Sequence, residues 1–250
     1  MTISKDEELT GLKRIGRVVA DTLETMSRAI EPGMTTGELD RIGRDFMEAA
    51  GARPAPELVY GFPGATCISV NEEIAHGIPG DRVIARGDLV NIDVSAEKDG
   101  YFADTGASFA VPPVTSAVER LCRDGRRAMW TGLRQVGADR PLAEIGRAVG
   151  AFARRNGYTL VRNLASHGVG SSLHEDPMEI ATWPDACDRR IMGKGLVFTV
   201  EPFLSLGADL AEDGDDPWTL YSQPRAPTVQ YEHTVVATRH GALVLTLSGR

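Results

Sequence analysis

The chain opens on an amphipathic helical stripe. Leu12, Ile15, Val19, Leu23, Met26 and Ile30 recur at steps of three and four, the period that lines one face of a helix. Ser4 and Glu7 stand at capping-box spacing ahead of it, and Pro32-Gly33 stops it. Thr35 and Glu38 repeat the box before a second helix that carries Leu39, Ile42 and Phe46 as far as Gly51. From Thr66 the period shortens. Cys67-Ile-Ser-Val, Leu89-Val-Asn-Ile-Asp-Val and Gly106-Ala-Ser-Phe-Ala-Val read as strands with Gly and Pro punctuation between them. Ser116 and Glu119 cap a third helix with Leu121, Met129 and Leu133, and Pro141 opens a fourth that runs to Gly157. Strand patterns return near 160–161, 196–200, 229–236 and 243–247. The polar stretch 208–227, with its Asp and Pro residues, reads as a long loop joining two strands.

Two helices followed by strands therefore occur twice. The second helix of each set shares a fragment: Leu39, Ile42, Gly43 and Arg44 against Leu142, Ile145, Gly146 and Arg147. The expectation is an α+β fold in one catalytic domain, 1–250, with an internal pseudo-repeat of roughly 1–113 and 114–250 and helices on the outer face of a mostly antiparallel curved sheet. Composition agrees with a sizeable core, since 42% of the residues are hydrophobic and 25% charged. A net charge of −8 without a basic block argues against a duplex nucleic-acid binder held by phosphate contacts. The three cysteines, Cys67, Cys122 and Cys187, are far apart and show no CxxC spacing, which argues against a disulfide framework or a zinc-thiolate site. The polar N-terminus lacks an apolar signal region, and no run of about 18 apolar residues spans a membrane. A cytoplasmic protein is the resulting expectation.

Against this background some carboxylates are misplaced. Asp93 lies inside the apolar run Val90-Asn-Ile-Asp-Val, and burial of a carboxylate is costly unless it is paired or bound to a metal. Lys98-Asp99-Gly100 is a hairpin turn signal. A two-residue turn at Asp99-Gly100 sets Asp93 opposite Gly106, with Asp104 as its diagonal neighbour on the same face. The pair alone also fits a polar strand residue beside a turn residue. Glu201 in Phe-Thr-Val-Glu-Pro and Glu232 in Val-Gln-Tyr-Glu-His-Thr-Val-Val repeat the anomaly, and the two segments are expected to pair as a second hairpin. A Gly-rich loop holds His167 and His174, two of the five histidines, seven residues apart. A single histidine in such a place is ordinarily structural; two point towards a site. Four carboxylates and an imidazole suit two divalent ions bridged by carboxylates and a water, whose pKa their joint charge lowers. The chemistry implied is metal-assisted hydrolysis of an unspecified substrate.

The motifs Cys67-Ile-Ser-Val-Asn-Glu-Glu-Ile-Ala-His-Gly-Ile-Pro, Asn-Ile-Asp93-Val, Asp104-Thr, Ser-His167-Gly-Val-Gly, His174-Glu-Asp-Pro, Thr-Val-Glu201-Pro and Gln-Tyr-Glu232-His-Thr, in this order and spacing, resemble type I methionine aminopeptidases over nearly the whole chain. The resemblance implies a pita-bread fold of two pseudo-symmetric halves. It implies removal of the initiator methionine from nascent proteins and peptides, preferably before a small second residue. By the same resemblance Asp104, His167, Glu201 and Glu232 hold one metal ion, and Asp93, Asp104 and Glu232 hold the other. The oxygen-rich set suits Co, Mn, Fe or Zn. Glu201 takes or relays a proton of the attacking water. His174 donates to the scissile carbonyl oxygen, and His76 orients the scissile amide; a turn histidine beside Gly77 is the alternative for His76. Phe62, Cys67, Leu173 and Trp218 resemble the walls of the methionine pocket, with ordinary core as the alternative. Val59 stands where many relatives carry a pocket aromatic, Leu173 replaces a common Phe, and Ser166 a common Gly. Alternation turns His233 away from the metals as a structural residue, and His240 reads as a surface turn. The partners implied are peptide N-termini beginning with Met and a transient ribosome contact, with the chain a monomer. The competing reading is a pita-bread enzyme of the X-Pro aminopeptidase or prolidase kind, which usually carries a further N-terminal domain.

Overall fold

A computed structural model describes residues 1–249. The first half runs α1 (Asp6–Ala29), α2 (Thr36–Ala49), β1 (Arg53–Pro54), α3 (Ala55–Tyr60), β2 (Cys67–Val70), β3 (Glu73–Ala75), β4 (Leu89–Lys98) and β5 (Tyr101–Ala110). The second half runs α4 (Ser116–Leu133), α5 (Ala143–Asn156), β6 (Thr159–Leu160), β7 (Ser166–Gly168), β8 (Glu175–Ile180), β9 (Val197–Val200) and β10 (Phe203–Ser205). It continues through β11 (Leu210–Asp213), β12 (Leu220–Gln223), β13 (Thr228–Gln230), β14 (His233–Thr238) and β15 (Gly241–Val244). Every strand pairing is antiparallel among the described residues. The helical stripes bury the positions that the periodicity marks. Leu12, Ile15, Val19 and Met26 of α1 and Leu39 and Met47 of α2 are fully buried, most of them against β2, β4 and β5. Leu121, Met129 and Leu133 of α4 and Ile145 and Val149 of α5 cover β9, β10, β13 and β14 in the same way.

Helix boundaries differ from the sequence expectation where a neighbouring residue makes the better cap. Glu8, not Glu7, accepts the backbone N–H groups of Ser4 and Lys5, so α1 begins one residue later. Thr115 rather than Ser116 caps α4 by accepting from Val118 N–H. Thr35 and Glu38 form the expected reciprocal box. The stretch 208–227 is not an open loop: β11 and β12 form a hairpin, and β12 continues onto β3. Its strands, Leu-Ala-Glu-Asp and Leu-Tyr-Ser-Gln, mix apolar and polar residues without alternation, and Ala211 and Leu220 pack on the small cluster of Ile74, Val161 and Phe203. The six-residue helix α3 carries no stripe long enough to read; Gly61 ends it in the left-handed region, at φ 69°.

Two hairpins meet at the centre. In the first, β4 and β5 turn through Asp99-Gly100, both with positive φ, and the register sets Asp93 opposite Gly106 and Asp104 opposite Ser95. Alternation then puts Asp93 and Asp104 on one face. In the second, the pairings Val200↔His233 and Phe203↔Gln230 flank a break in both strands, so their register carries Glu201 to a position opposite Glu232. The hairpins are tied edge to edge. Glu232 N–H donates to Gly106 O (2.9 Å), Thr105 Oγ1 to Glu232 O (2.8 Å), and Asp104 N–H to Thr234 Oγ1 (2.9 Å), which donates in turn to Asp104 O (2.7 Å). Gly106 permits this approach, because a Cβ there would stand 2.4 Å from Gln230 Oε1.

Asp40 of α2 fixes the entry to β2. Buried, it accepts from Ala65 N–H, Thr66 N–H and Thr66 Oγ1, immediately before Cys67 pairs with Asp93. Asp40→Ala leaves these donors unpaired and is expected to lower unfolding free energy by about 1–3 kcal/mol in urea titrations; an unchanged midpoint and slope would show that water replaces the carboxylate.

Candidate metal centre

The two hairpins and the β7 edge converge on five side chains. Asp104, His167, Glu201 and Glu232 are buried and Asp93 is partly exposed to the cleft above them. One donor atom from each of Asp104, His167 and Glu232 lies within 4.8 Å of the other two. His167 Nε2 stands 3.5 Å from Glu201 Oε1 and 3.8 Å from Asp104 Oδ2. Asp93 is within hydrogen-bond reach of Asp104. The five residues singled out in the sequence therefore form one contiguous cluster.

The surroundings fix some of the donor atoms and leave others without a partner. Thr199 Oγ1 donates to Glu201 Oε1 (2.6 Å) while accepting from His167 N–H (3.1 Å). Gln230 Nε2 donates to Glu232 Oε2 (3.0 Å), and Asn91 Nδ2 holds Gln230 Oε1 (2.9 Å). Each of these supporting residues sits two positions from a carboxylate or across the seam, on the face alternation assigns to it. Asp104 Oδ1 and Glu232 Oε1 are buried with no hydrogen-bond partner. His167 Nδ1 lies 3.0 Å from Gly168 O. A carbonyl only accepts, so Nδ1 carries the proton and Nε2 turns a lone pair towards the carboxylates.

Electrostatics sharpen the conflict. Burial, before any other cause, pushes the Asp93 carboxyl up to about 6 and that of Glu201 up to about 8. Asp104 and Glu232 rise well above the usual carboxylate range through burial and the negative charge of their neighbours. Burial lowers His167 to about 3 and His174 to about 4, so both rings are neutral at physiological pH. Among the described residues no Lys or Arg lies within 4 Å of the four acids. Donor atoms of Asp104, His167 and Glu232 thus lie close enough together to hold a divalent cation, and two oxygens of the same residues lack any other partner.

Above the cluster opens a cleft of about 650 Å³. Phe62, Cys67, Leu173 and Trp218 line it, with Phe62 and Trp218 edge to face at a centroid distance of 5.3 Å. His76 and His174 line it as well. His76 sits at φ 54°, in the left-handed region, braced by Gly77 N–H donating to Ser69 Oγ (3.0 Å). The protein walls that crowd His76 lower its pKa by desolvation. His174 packs on His167, with ring centroids 3.9 Å apart. Val59 faces outwards at 38% exposure, and the aromatic at this wall is its neighbour Tyr60. Sequence reasoning missed Tyr60, because α3 was not legible, and Phe203, which alternation from Glu201 points into the same cleft. His233 is turned away from the cluster, its Nδ1 2.9 Å from Thr246 Oγ1, and His240 is exposed.

A buried cation-ready cage between two hairpins of a curved antiparallel sheet defines a metallopeptidase of the pita-bread kind, and the chain belongs to metallopeptidase family M24, which matches residues 10–239. Within that family its relatives are methionine aminopeptidases. It is 45% identical over 247 residues to the methionine aminopeptidase of Staphylococcus epidermidis, covering 98% of each chain. The crystal structure of methionine aminopeptidase from Rickettsia prowazekii superposes with a TM-score of 0.93 at 31% identity, over 99% of this chain and 100% of that one. Prolidase from Pyrococcus furiosus shares the fold at a TM-score of 0.79 and 22% identity, but this chain spans only 66% of it.

The raised carboxyl groups set a pH dependence. A group whose folded pKa exceeds its unfolded value stabilises the fold below the unfolded pKa and loses that contribution as pH rises through the folded one. For Glu201 and Asp93 the window runs from about 4 up to about 8. Below about 6.5 the lowered His167 and His174 act in the opposite direction, so the Tm of chelated protein is expected to fall between pH of about 7 and about 8.5, and divalent metal is expected to remove the fall. A Tm that climbs across this range with chelator present would contradict the crowding of the acids.

Proposed function

We propose that this chain is a metalloaminopeptidase that hydrolyses the N-terminal methionine from nascent proteins and peptides, preferably when the second residue is small. The observation that carries the reading is the juxtaposition of an acid cage with an apolar slot. The cage fits divalent ions at the floor of the cleft, and Phe62, Cys67, Leu173, Phe203 and Trp218 offer a lining suited to an unbranched apolar side chain. The fold is that of methionine aminopeptidases and the relatives carry that name.

In this reading Asp104, His167, Glu201 and Glu232 would hold one divalent ion, and Asp93, Asp104 and Glu232 would hold a second. The oxygen-rich donors favour Co, Mn, Fe or Zn. When bound, the ions supply Lewis acidity and an acidified water at neutral pH. Glu201, with one oxygen held by Thr199, would use its free oxygen to take or relay a proton of the attacking water. His174 donates from its neutral ring to the scissile carbonyl oxygen and stabilises the charge that develops there. His76 orients the scissile amide and assists the leaving amine. The chain acts as one catalytic domain whose halves, roughly 1–113 and 114–250, each contribute a helix pair and an acid-bearing hairpin. It works in the cytoplasm as a monomer with a transient ribosome contact; no helix among the described residues is long and apolar enough to cross a membrane.

The test is release of free methionine from Met-Ala-Ser, abolished by chelator and restored by metal, beside Ala-Pro peptides as competitors. Methionine release is expected, and cleavage of the X-Pro substrates instead would move the assignment to the prolidase kind. Asp104→Ala and Glu232→Ala are each expected to lower kcat by roughly 10³-fold or more, the order lost with a transition-state-stabilising group, while circular dichroism stays native. Turnover retained by either variant in metal-containing buffer would refute the cage as the catalytic centre.

A further inference from the structure

Tyr60 has no part in the cage, yet its hydroxyl lies 2.7 Å from His174 Nδ1. The residue is the last of α3, followed by the left-handed Gly61, and Arg44 of α2 ties the helix down by pairing with Glu57 (2.9 Å). The residue is 47% exposed at the rim of the cleft. It meets the imidazole with ring centroids 5.6 Å apart. One face of His174 is covered by His167. Among the described residues no partner meets His174 Nε2, and the ring lines the cleft.

We propose that Tyr60 is a positioning residue that donates its hydroxyl proton to His174 Nδ1, so that the neutral ring carries its own proton on Nε2, facing the cleft. The chemistry requires this direction. A carbonyl oxygen of a bound substrate only accepts, so Nε2 serves it as N–H and not as a lone pair. The reverse bond, Nδ1–H to the phenol oxygen, would turn a lone pair towards the substrate oxygen. Tyr60 and His167 together also clamp the plane of the ring, one at its edge and one on its face. The direction of the bond rests on the functional reading above, which gives His174 a carbonyl oxygen to serve, but the tautomer is measured without turnover.

Tyr60→Phe removes the hydroxyl and keeps the ring. Two readouts test it. In metal-free protein labelled with ¹⁵N-histidine, long-range ¹H–¹⁵N correlations are expected to report a single Nε2–H tautomer for His174, becoming a mixture in Tyr60→Phe. His167, held by the Gly168 carbonyl, is expected to keep its Nδ1–H tautomer in both and so to report an intact site. In metal-loaded protein, kcat on Met-Ala-Ser is expected to fall about tenfold, the worth of one hydrogen bond, with KM changed by less than about twofold. An Nδ1–H tautomer in the wild type, or His174 signals unmoved by Tyr60→Phe, would overturn the proposal, as would a raised KM with kcat retained. Absence of methionine release by the wild type would defeat the functional reading instead, leaving the tautomer result to decide whether Tyr60 sets the ring.

Discussion

Four carboxylates and one neutral imidazole crowd the seam between two hairpins, and their mutual repulsion is the constraint to which the surrounding structure answers. Two of the acids come from β4 and β5, and two from the broken strands that run through Glu201 and Glu232. Neither hairpin alone makes the cluster. The seam brings them together through Thr105, Thr234 and the backbone of Gly106 and Glu232, and the absence of a side chain at Gly106 lets Gln230 reach across. The helices on the outside bury the backs of the same strands and so hold the seam shut.

A protein has two ordinary ways to keep acids buried: pair them with basic side chains, or leave them protonated. Here the ion pairs lie elsewhere, as with Arg14–Asp99 and Arg162–Asp209 at the surface. Protonation is what burial drives in the absence of a cation, as the raised pKa values of Asp93 and Glu201 express. Yet Asp104 Oδ1 and Glu232 Oε1 have no donor from the protein, and Nε2 of His167 joins them as a further lone pair. Thr199 and Gln230 each hold one oxygen of a glutamate and leave the other free, and the Gly168 carbonyl takes the His167 nitrogen that does not face the acids. The arrangement fixes geometry while leaving charge to be balanced from outside, which is how outer hydrogen bonds orient metal ligands. The neutral histidines and apolar walls above then give a bound cation a substrate-sized space to act in.

Much of this was legible in the sequence because it left marks against local expectation. Asp93, Glu201 and Glu232 interrupt apolar strands, and the Asp99-Gly100 turn fixed the register that sets Asp93 beside Asp104. The helical stripes located four helices, though Glu8 and Thr115 displaced the expected caps by one residue. The hairpin β11–β12 left no apolar alternation to read, because it puts little more than Ala211 and Leu220 onto a small cluster beside β3 and keeps the rest of its residues polar or exposed. Helix α3 was too short to show a period, and with it Tyr60 went unseen while its neighbour Val59 drew attention. Phe203 was readable in principle by counting two residues from Glu201. The pairing of Tyr60 with His174 was not, since it joins residues 114 apart.

The most direct test of the central claim is calorimetric titration of Mn(II) into chelated protein at neutral pH, repeated in buffers of different ionisation enthalpy. The account predicts saturation at two ions per chain and an apparent enthalpy that varies with the buffer, because protons held by the crowded carboxylates leave as the ions enter. Binding without proton release, or no binding at the cluster, would contradict it.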